Sequence, residues 1–271
     1  MQGFRTDLAA EDIPQGGGKL NGVRSEACER DGFHVTRVEI LDPQGAKALC
    51  KPIGNYITLD VETFVQRQEN SFAAAVTLMA EFLRELLPLA ETDSVLVAGL
   101  GNPAITPDAV GPESASLTLA TRHLRQQMPE EFAAFRPVSV FRTGVLGTTG
   151  MESAEVIRAL CRAVQPDAVV VVDALASRST ERLCRTVQLA DSGIVPGSGV
   201  GNDRAELSRR VLGVPVTAIG VPTVVDAGDG LIVTPRDIDR YVKDAGKLIA
   251  YALNLALHPA LTLSDIDMFV G

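Results

Sequence analysis

Tryptophan is absent, and aromatic residues make up only 4% of the 271-residue chain. That argues against a base-stacking platform for single-stranded nucleic acid. Positive charge is also short: 25 Lys and Arg stand against 34 Asp and Glu, a formal net charge of −9. A domain-wide basic footprint for nucleic acid is therefore missing, and the acidic balance favours cationic or neutral partners. Long apolar runs are lacking too. The longest, Val95–Leu100 and Ala168–Val172, are far too short to span a bilayer, and the polar stretch Met1–Asp12 holds no secretory hydrophobic segment. The four cysteines (Cys28, Cys50, Cys161, Cys184) form no Cys-x-x-Cys pair and read as reduced structural thiols of a cytosolic protein. Three histidines, His34, His123 and His258, are too few and too scattered to suggest a zinc site. None of Ser153, Ser177, Ser179 and Ser198 sits in a Gly-x-Ser-x-Gly elbow.

What is present is globular chemistry, 46% hydrophobic and 22% charged, in a chain long enough for one large domain. Residues 1 to about 31 carry Gly16-Gly17-Gly18 among charged neighbours and read as a mobile arm. Alternation predicts half-buried strands at Phe33–Leu41 and Tyr56–Val61. Helical spacing predicts helices over Phe72–Leu89, Ser114–Gln127, Glu152–Val164, Arg204–Leu212 and Asp237–Leu257. Further strands are expected at Val95–Leu100, Pro137–Phe141, Ala168–Val172, Thr186–Leu189 and Val214–Ile219, with Gly144–Gly150 as a loop. Strands alternating with helices imply an α/β fold with a mostly parallel or mixed sheet, flanked by helices on both faces.

Sites in such sheets form beyond the carboxyl ends of the strands. That rule selects Asp173, an acid directly after the apolar run Ala168–Val172, where desolvation would raise its pKa toward acid–base use. Capping of a turn is the plainer alternative. Asp108 follows Pro107 in the loop after Val95–Leu100 and, taken alone, reads first as a helix N-cap. Two carboxylates at adjacent strand ends can divide the labour, one activating water and the other donating a proton. Gly197-Ser198-Gly199-Val200-Gly201 resembles a backbone-amide cradle for phosphate, without the Lys-Ser/Thr ending of a P-loop; a tight turn is the simpler explanation.

Several blocks together resemble the germination protease family of endospore-forming bacteria. They are Gly99-Leu100-Gly101-Asn102 with Thr106-Pro107-Asp108-Ala109, Gly144-Val145-Leu146-Gly147-Thr148-Thr149-Gly150, Val171-Val172-Asp173-Ala174, Pro196-Gly197-Ser198-Gly199-Val200-Gly201-Asn202, and Gly220-Val221-Pro222-Thr223-Val224-Val225-Asp226-Ala227. Arg5-Thr6-Asp7-Leu8-Ala9 also matches. The resemblance implies an endopeptidase of atypical aspartic type that degrades small acid-soluble spore proteins. It implies a self-processing zymogen, a homotetramer in the forespore or spore-core cytoplasm, no cofactor or metal, and no direct nucleic-acid or membrane partner. It implies a phosphorylase/hydrolase-like core similar to that of hydrogenase maturation proteases. Carried over residue by residue, the catalytic pair is Asp108 and Asp173, and processing falls between Asp7 and Leu8. Residues 1–7 become a propeptide and 8–271 a single peptidase domain.

On this reading Asp173 activates water while protonated Asp108 stabilises the oxyanion, an assignment open to reversal because the pair can share one proton. Asn102, Thr148, Thr149, Gly150, Ser198 and Gly199 are the expected substrate or oxyanion contacts; each oxyanion donor is worth about 3 kcal/mol when well placed. The chain departs from the family after Ala227, where Gly228-Asp229-Gly230 stands in place of a long insertion. Two rival readings share the fold: a hydrogenase-maturation-type endopeptidase using a metal near His123, and a non-catalytic or phosphate-binding member.

Overall fold

The computed structural model describes residues 6–14, 20–201, 204–228 and 231–271. Residues 1–5 of the expected propeptide and the Gly16–Gly18 stretch lie outside the described residues. Among the described residues nine strands form one sheet: β1 (Val23–Arg30), β2 (Phe33–Ile40), β3 (Gly54–Asp60), β4 (Val95–Leu100), β5 (Val138–Gly144), β6 (Ala168–Ser177), β7 (Thr186–Ala190), β8 (Val216–Gly228) and β9 (Leu231–Val233). Their order is β1-β2-β3-β7-β8-β6-β4-β5, with β9 on the far part of β8. The block β5-β4-β6-β8 is parallel. The wing β7-β3-β2-β1 is antiparallel and joins β8 through β7. The sheet is thus mixed.

Alternate side chains of the central strands feed two cores, which is why these strands read as unbroken apolar runs. Val95, Val97, Val170, Val172, Val187, Leu189, Ile219 and Val221 pack under the helices Ser71–Leu86 and Ile238–Leu257. Leu96, Ala98, Val169, Val171 and Ala218 point the other way, against Ala154 and Ile157 of the helix Ser153–Val164. Further along that second face, Ala9 packs with Val38, Ile40, Tyr56 and Ala190.

Four expectations need correcting. The arm is not free: Leu8 and Ala9 are fully buried, and the charged residues beside them are all partnered. The Glu11 carboxylate accepts from the backbone N–H groups of Arg178 and Ser179 at 2.7 and 3.0 Å; Asp12 pairs with Lys51 and Arg178. Val23–Arg30 is an edge strand whose backbone is paired to β2 while charged side chains face water. The expected helix Ser114–Gln127 is two, Val110–Ser116 and Arg122–Gln127. Between them the Asn254 carboxamide takes Leu117 O and Leu119 N–H, so the break leaves these groups satisfied. Arg204–Leu212 is helical only at Arg209–Leu212. Finally, Gly144–Gly150 is not all loop, since Leu146–Thr149 coils into a short helix.

No helix among the described residues is long and apolar enough to cross a membrane.

Candidate active site

β4 stops pairing with β6 at Gly99–Val172, whereas β6 continues to Ser177 along β8. Asp173 is therefore the first β6 residue beyond its pairing with β4. It lies inside a longer strand than the apolar run suggested. Only 6% of it is exposed, and its Oδ1 accepts from the Ala174 N–H at 2.9 Å.

Asp108 is brought to it by close backbone packing. The helix Val110–Ser116 begins on top of the strand ends: a Cβ at Gly111 would lie 2.2 Å from Leu100 O and 2.5 Å from Val172 O. Gly101, at φ +110°, passes so near that a Cβ would meet Asp108 O at 2.0 Å. Asp108 closes the turn Thr106–Asp108, and its Oδ2 accepts from the Asn102 N–H at 2.7 Å. The buried Thr223 hydroxyl donates to Pro107 O at 2.7 Å, tying that turn to β8.

Both acids line a cavity of about 330 Å³, together with Asp7, Val145, Leu146, Leu175, Ala176, Arg204 and Ile232. Burial drives the Asp173 carboxyl well above the usual carboxylate range, and the charges of Asp108 and Asp7 push it further, against Arg204. Burial also raises Asp108, opposed by the Asn102 N–H and by Arg204. Two acids that discourage each other's ionisation beside one cation favour a singly protonated pair.

Asp7 sits within this arrangement. Its N–H donates to Ala176 O at 2.9 Å. Its carboxylate accepts from the Ala176 N–H at 2.9 Å and from the Ser198 hydroxyl at 2.5 Å. Gly199 closes the seat, where a Cβ would meet Asp7 Oδ2 at 2.3 Å. The Asp7 carbonyl accepts from Gln188 Nε2 at 3.0 Å. Beyond Asp7 opens a second cavity, of about 610 Å³, lined by Thr6, Lys51, Tyr56, Gln188, Ile194 and Ser198 among others. Asp7 and Leu175 line both cavities.

The remaining expected contacts are placed differently. Ser198 and Gly199 touch Asp7. Asn102 offers its backbone N–H to Asp108, while its side chain accepts from Ala104 N. The hydroxyls of Thr148 and Thr149 both donate to Val145 O; Gly150, at φ +71°, ends that short helix. Val145 and Leu146, rather than the threonines, face the cavity.

His123 is exposed on the helix Arg122–Gln127, and neither His nor Cys lines the 330 Å³ cavity. Two participants escaped the sequence reading. Arg204 reads in the sequence as the first residue of a helix, but it lies in the loop before Arg209–Leu212. Gln188 carried a usable signal, being a polar residue inside the apolar strand Thr186–Ala190.

The family model for germination protease matches residues 6–229. The chain belongs to the germination protease family. Curated relatives named germination protease include one from Clostridium perfringens, 37% identical over all of both chains, and one from Priestia megaterium, 41% identical over 90% of this chain and 68% of that one. The first alignment runs over 326 positions, more than the 271 residues here, so that relative carries segments this family member lacks. Among solved structures, a nickel–iron hydrogenase maturation protease from Thermococcus kodakarensis matches 64% of this chain and 98% of its own, at 21% identity and a TM-score of 0.39. Membership makes the chain a peptidase of spore germination.

Proposed function

We propose that this family member is an endopeptidase that starts the breakdown of small acid-soluble spore proteins, made as a zymogen that cuts itself between Asp7 and Leu8. The single observation behind this reading is the seat of Asp7, whose carboxylate and backbone are gripped by Ala176 and Ser198 in the cavity that holds Asp108 and Asp173. Asp7 reaches that cavity from a segment whose next residue, Leu8, is buried, which is the acidic–apolar order expected of a substrate. Residues 1–7 are then the propeptide and 8–271 the peptidase domain. By family resemblance the enzyme works as a homotetramer in the spore core.

The electrostatics favour the reverse of the first role assignment. Asp173, the more deeply buried acid, keeps the shared proton. Asp108, held by an N–H and facing Arg204, is the carboxylate that takes a proton from water. The hydroxyl adds to the Asp7 carbonyl carbon, the carbonyl π-pair moves to oxygen, and the tetrahedral adduct expels the Leu8 nitrogen with the Asp173 proton. The products are a carboxylic acid at Asp7 and an amine at Leu8, which balances one peptide bond and one water.

Full-length protein held at mildly acidic, dehydrating conditions should acquire Leu8 as its N-terminus, read by intact mass and N-terminal sequencing. Asp108→Asn and Asp173→Asn should each stop the cut. Wild-type processing by both variants would refute the assignment.

A further inference from the structure

Gln188 is 7% exposed and lies in a row across the sheet with Gly220 and Asp173, since Gly220 pairs with Asp173 on one side and with Gln188 on the other. In-register neighbours project from the same face. Adjacent strands are about 4.8 Å apart, so Asp173 and Gln188 stand roughly two strand spacings apart, and the Leu175 side chain covers the bare Gly220 between them. The segment Asp7–Ala9 is held between β6 and β7. Asp7 is fastened to β6 through Ala176, and the Gln188 carboxamide takes hold on the β7 side.

That carboxamide is used at both ends. Its Nε2 donates to the carbonyl oxygen of Asp7 at 3.0 Å, and its Oε1 accepts from the N–H of Ala9 at 2.7 Å. One rigid planar group therefore brackets the Asp7–Leu8 peptide bond. We propose that Gln188 is a further catalytic residue: its Nε2–H marks the seat of the oxyanion formed at the Asp7 carbonyl, while its Oε1 holds the leaving strand in place. The inference rests on cleavage at Asp7–Leu8. It requires no group beyond those present, because water supplies the nucleophile, the acid pair moves the protons, and the Gln188 N–H stays intact through both steps.

The geometry separates the two ends of the side chain. Donation to the carbonyl strengthens as negative charge grows on that oxygen, so it speeds the chemical step. The bond to Ala9 N–H is the same before and during reaction, so it contributes to binding alone. An acid at this position keeps the acceptor and loses the donor until it is itself protonated.

The test uses the full chain, with Gln188→Met as a near-isosteric variant without either function and Gln188→Glu as the acceptor-only variant, and with Asp173→Asn as the dead control. Processing is followed as the rate of appearance of the Leu8 N-terminus. Cleavage in trans is measured with the processed enzymes and a peptide carrying Thr-Asp-Leu-Ala. Loss of one oxyanion donor should lower kcat by about 100-fold in Gln188→Met. Gln188→Glu should be equally slow near neutral pH and recover relative to wild type as pH falls and the new carboxyl gains a proton to donate. A rise in KM with kcat unchanged, or a pH profile for Gln188→Glu parallel to wild type, would overturn the catalytic role while leaving the cut itself standing. Absence of a cut at Asp7–Leu8 in the wild-type chain would overturn both.

Discussion

Gly199→Ala tests the grip on Asp7 with little other disturbance. Gly199 does not occupy a left-handed conformation, so alanine is tolerated by the backbone. Its methyl, however, would fall 2.3 Å from Asp7 Oδ2 and 2.7 Å from the Ala176 Cβ. Neither neighbour is a loose side-chain end, because Ala176 is fixed in β6 and the carboxylate is held by Ala176 N and Ser198 Oγ. The carboxylate must leave. Hydrogen bonds to a charged group are worth roughly 1.5–3 kcal/mol each. The site is only partly buried, so the lower figure applies, and two lost bonds total about 3 kcal/mol, a factor of roughly 150 in occupancy of the cleft. Processing should slow by about that factor while the fold persists. Ser198→Ala, which removes one of the two bonds, should slow it about tenfold. The assay is a time course by intact mass, with a thermal melt to confirm folding. A Gly199→Ala chain that is cut between Asp7 and Leu8 within threefold of the wild-type rate would sink the idea that the seat of Asp7 sets up the cut.

Other outcomes follow from the same geometry. Asp173→Asn should cost at least about 100-fold in turnover and yet melt higher than wild type near neutral pH. The folded state raises this carboxyl's pKa, so its contribution to stability is full at low pH and is lost as pH rises from the unfolded toward the folded value; an amide never ionises. A lower Tm for the variant would contradict the buried-acid account. His258 has the opposite dependence. Burial lowers its pKa from 6.5 to about 4, and neither ring nitrogen has a hydrogen-bond partner among the described residues. The unfolded chain takes the proton first, so stability is full above pH 6.5 and falls by about 3 kcal/mol as pH drops toward 4. Denaturant titrations of His258→Leu should show that acid slope flattened; an unchanged slope would remove His258 from the account. Gly111→Ala forces the helix Val110–Ser116 off Leu100 O and Val172 O. It should cost about 1–3 kcal/mol and more than that in rate, because Asp108 moves with the helix; equal stability and activity to wild type would show that the close approach does not position the acid.

Sequence pattern reached the central strands and long helices because their signals are local. Val95–Leu100 and the helix near Asp237–Leu257 are apolar in the right period whatever surrounds them. It misjudged segments whose partners are remote in the chain. Thr6–Asp12 looks like polar tail, since nothing local reveals that Glu11 will meet the N–H groups of Arg178 and Ser179. The helix break at Leu117–Thr121 depends on Asn254, a residue far along the chain. The strand ends were underestimated for a related reason. Asp173 ended an apolar run, but β6 continues because β8 pairs with it as far as Val225. The acids themselves were legible through the rule for parallel sheets, their closeness being carried by Gly101 and Gly111, whose roles need coordinates. Gln188 could have been found by its polarity in an apolar strand, but its use could not, because the segment it brackets was read as mobile.

The two sides of the proposed cut are held unequally, and that asymmetry gives processing a direction. On the amino side, the described anchors are the Asp7 contacts, the bond from Lys51 Nζ to Thr6 O at 3.0 Å, and the Thr6 hydroxyl, which donates to the Glu11 carboxylate and accepts from Leu8 N–H. On the carboxyl side, Leu8 and Ala9 are fully buried, Glu11 is held by two backbone N–H groups, and Asp12 pairs with both Lys51 and Arg178. Hydrolysis at Asp7–Leu8 makes the amino-side piece a separate molecule, whose departure gains translational freedom. The carboxyl-side segment Leu8–Asp12 loses, among the described residues, only its contacts with Thr6, from Leu8 N–H and to the Glu11 carboxylate, and keeps the rest. Loss of Asp7 removes one of the two residues, with Leu175, that line both the 330 and 610 Å³ cavities. A substrate acid can then enter the seat that Asp7 vacates. Activation on this scheme needs no rearrangement of the sheet, only the exit of the first product.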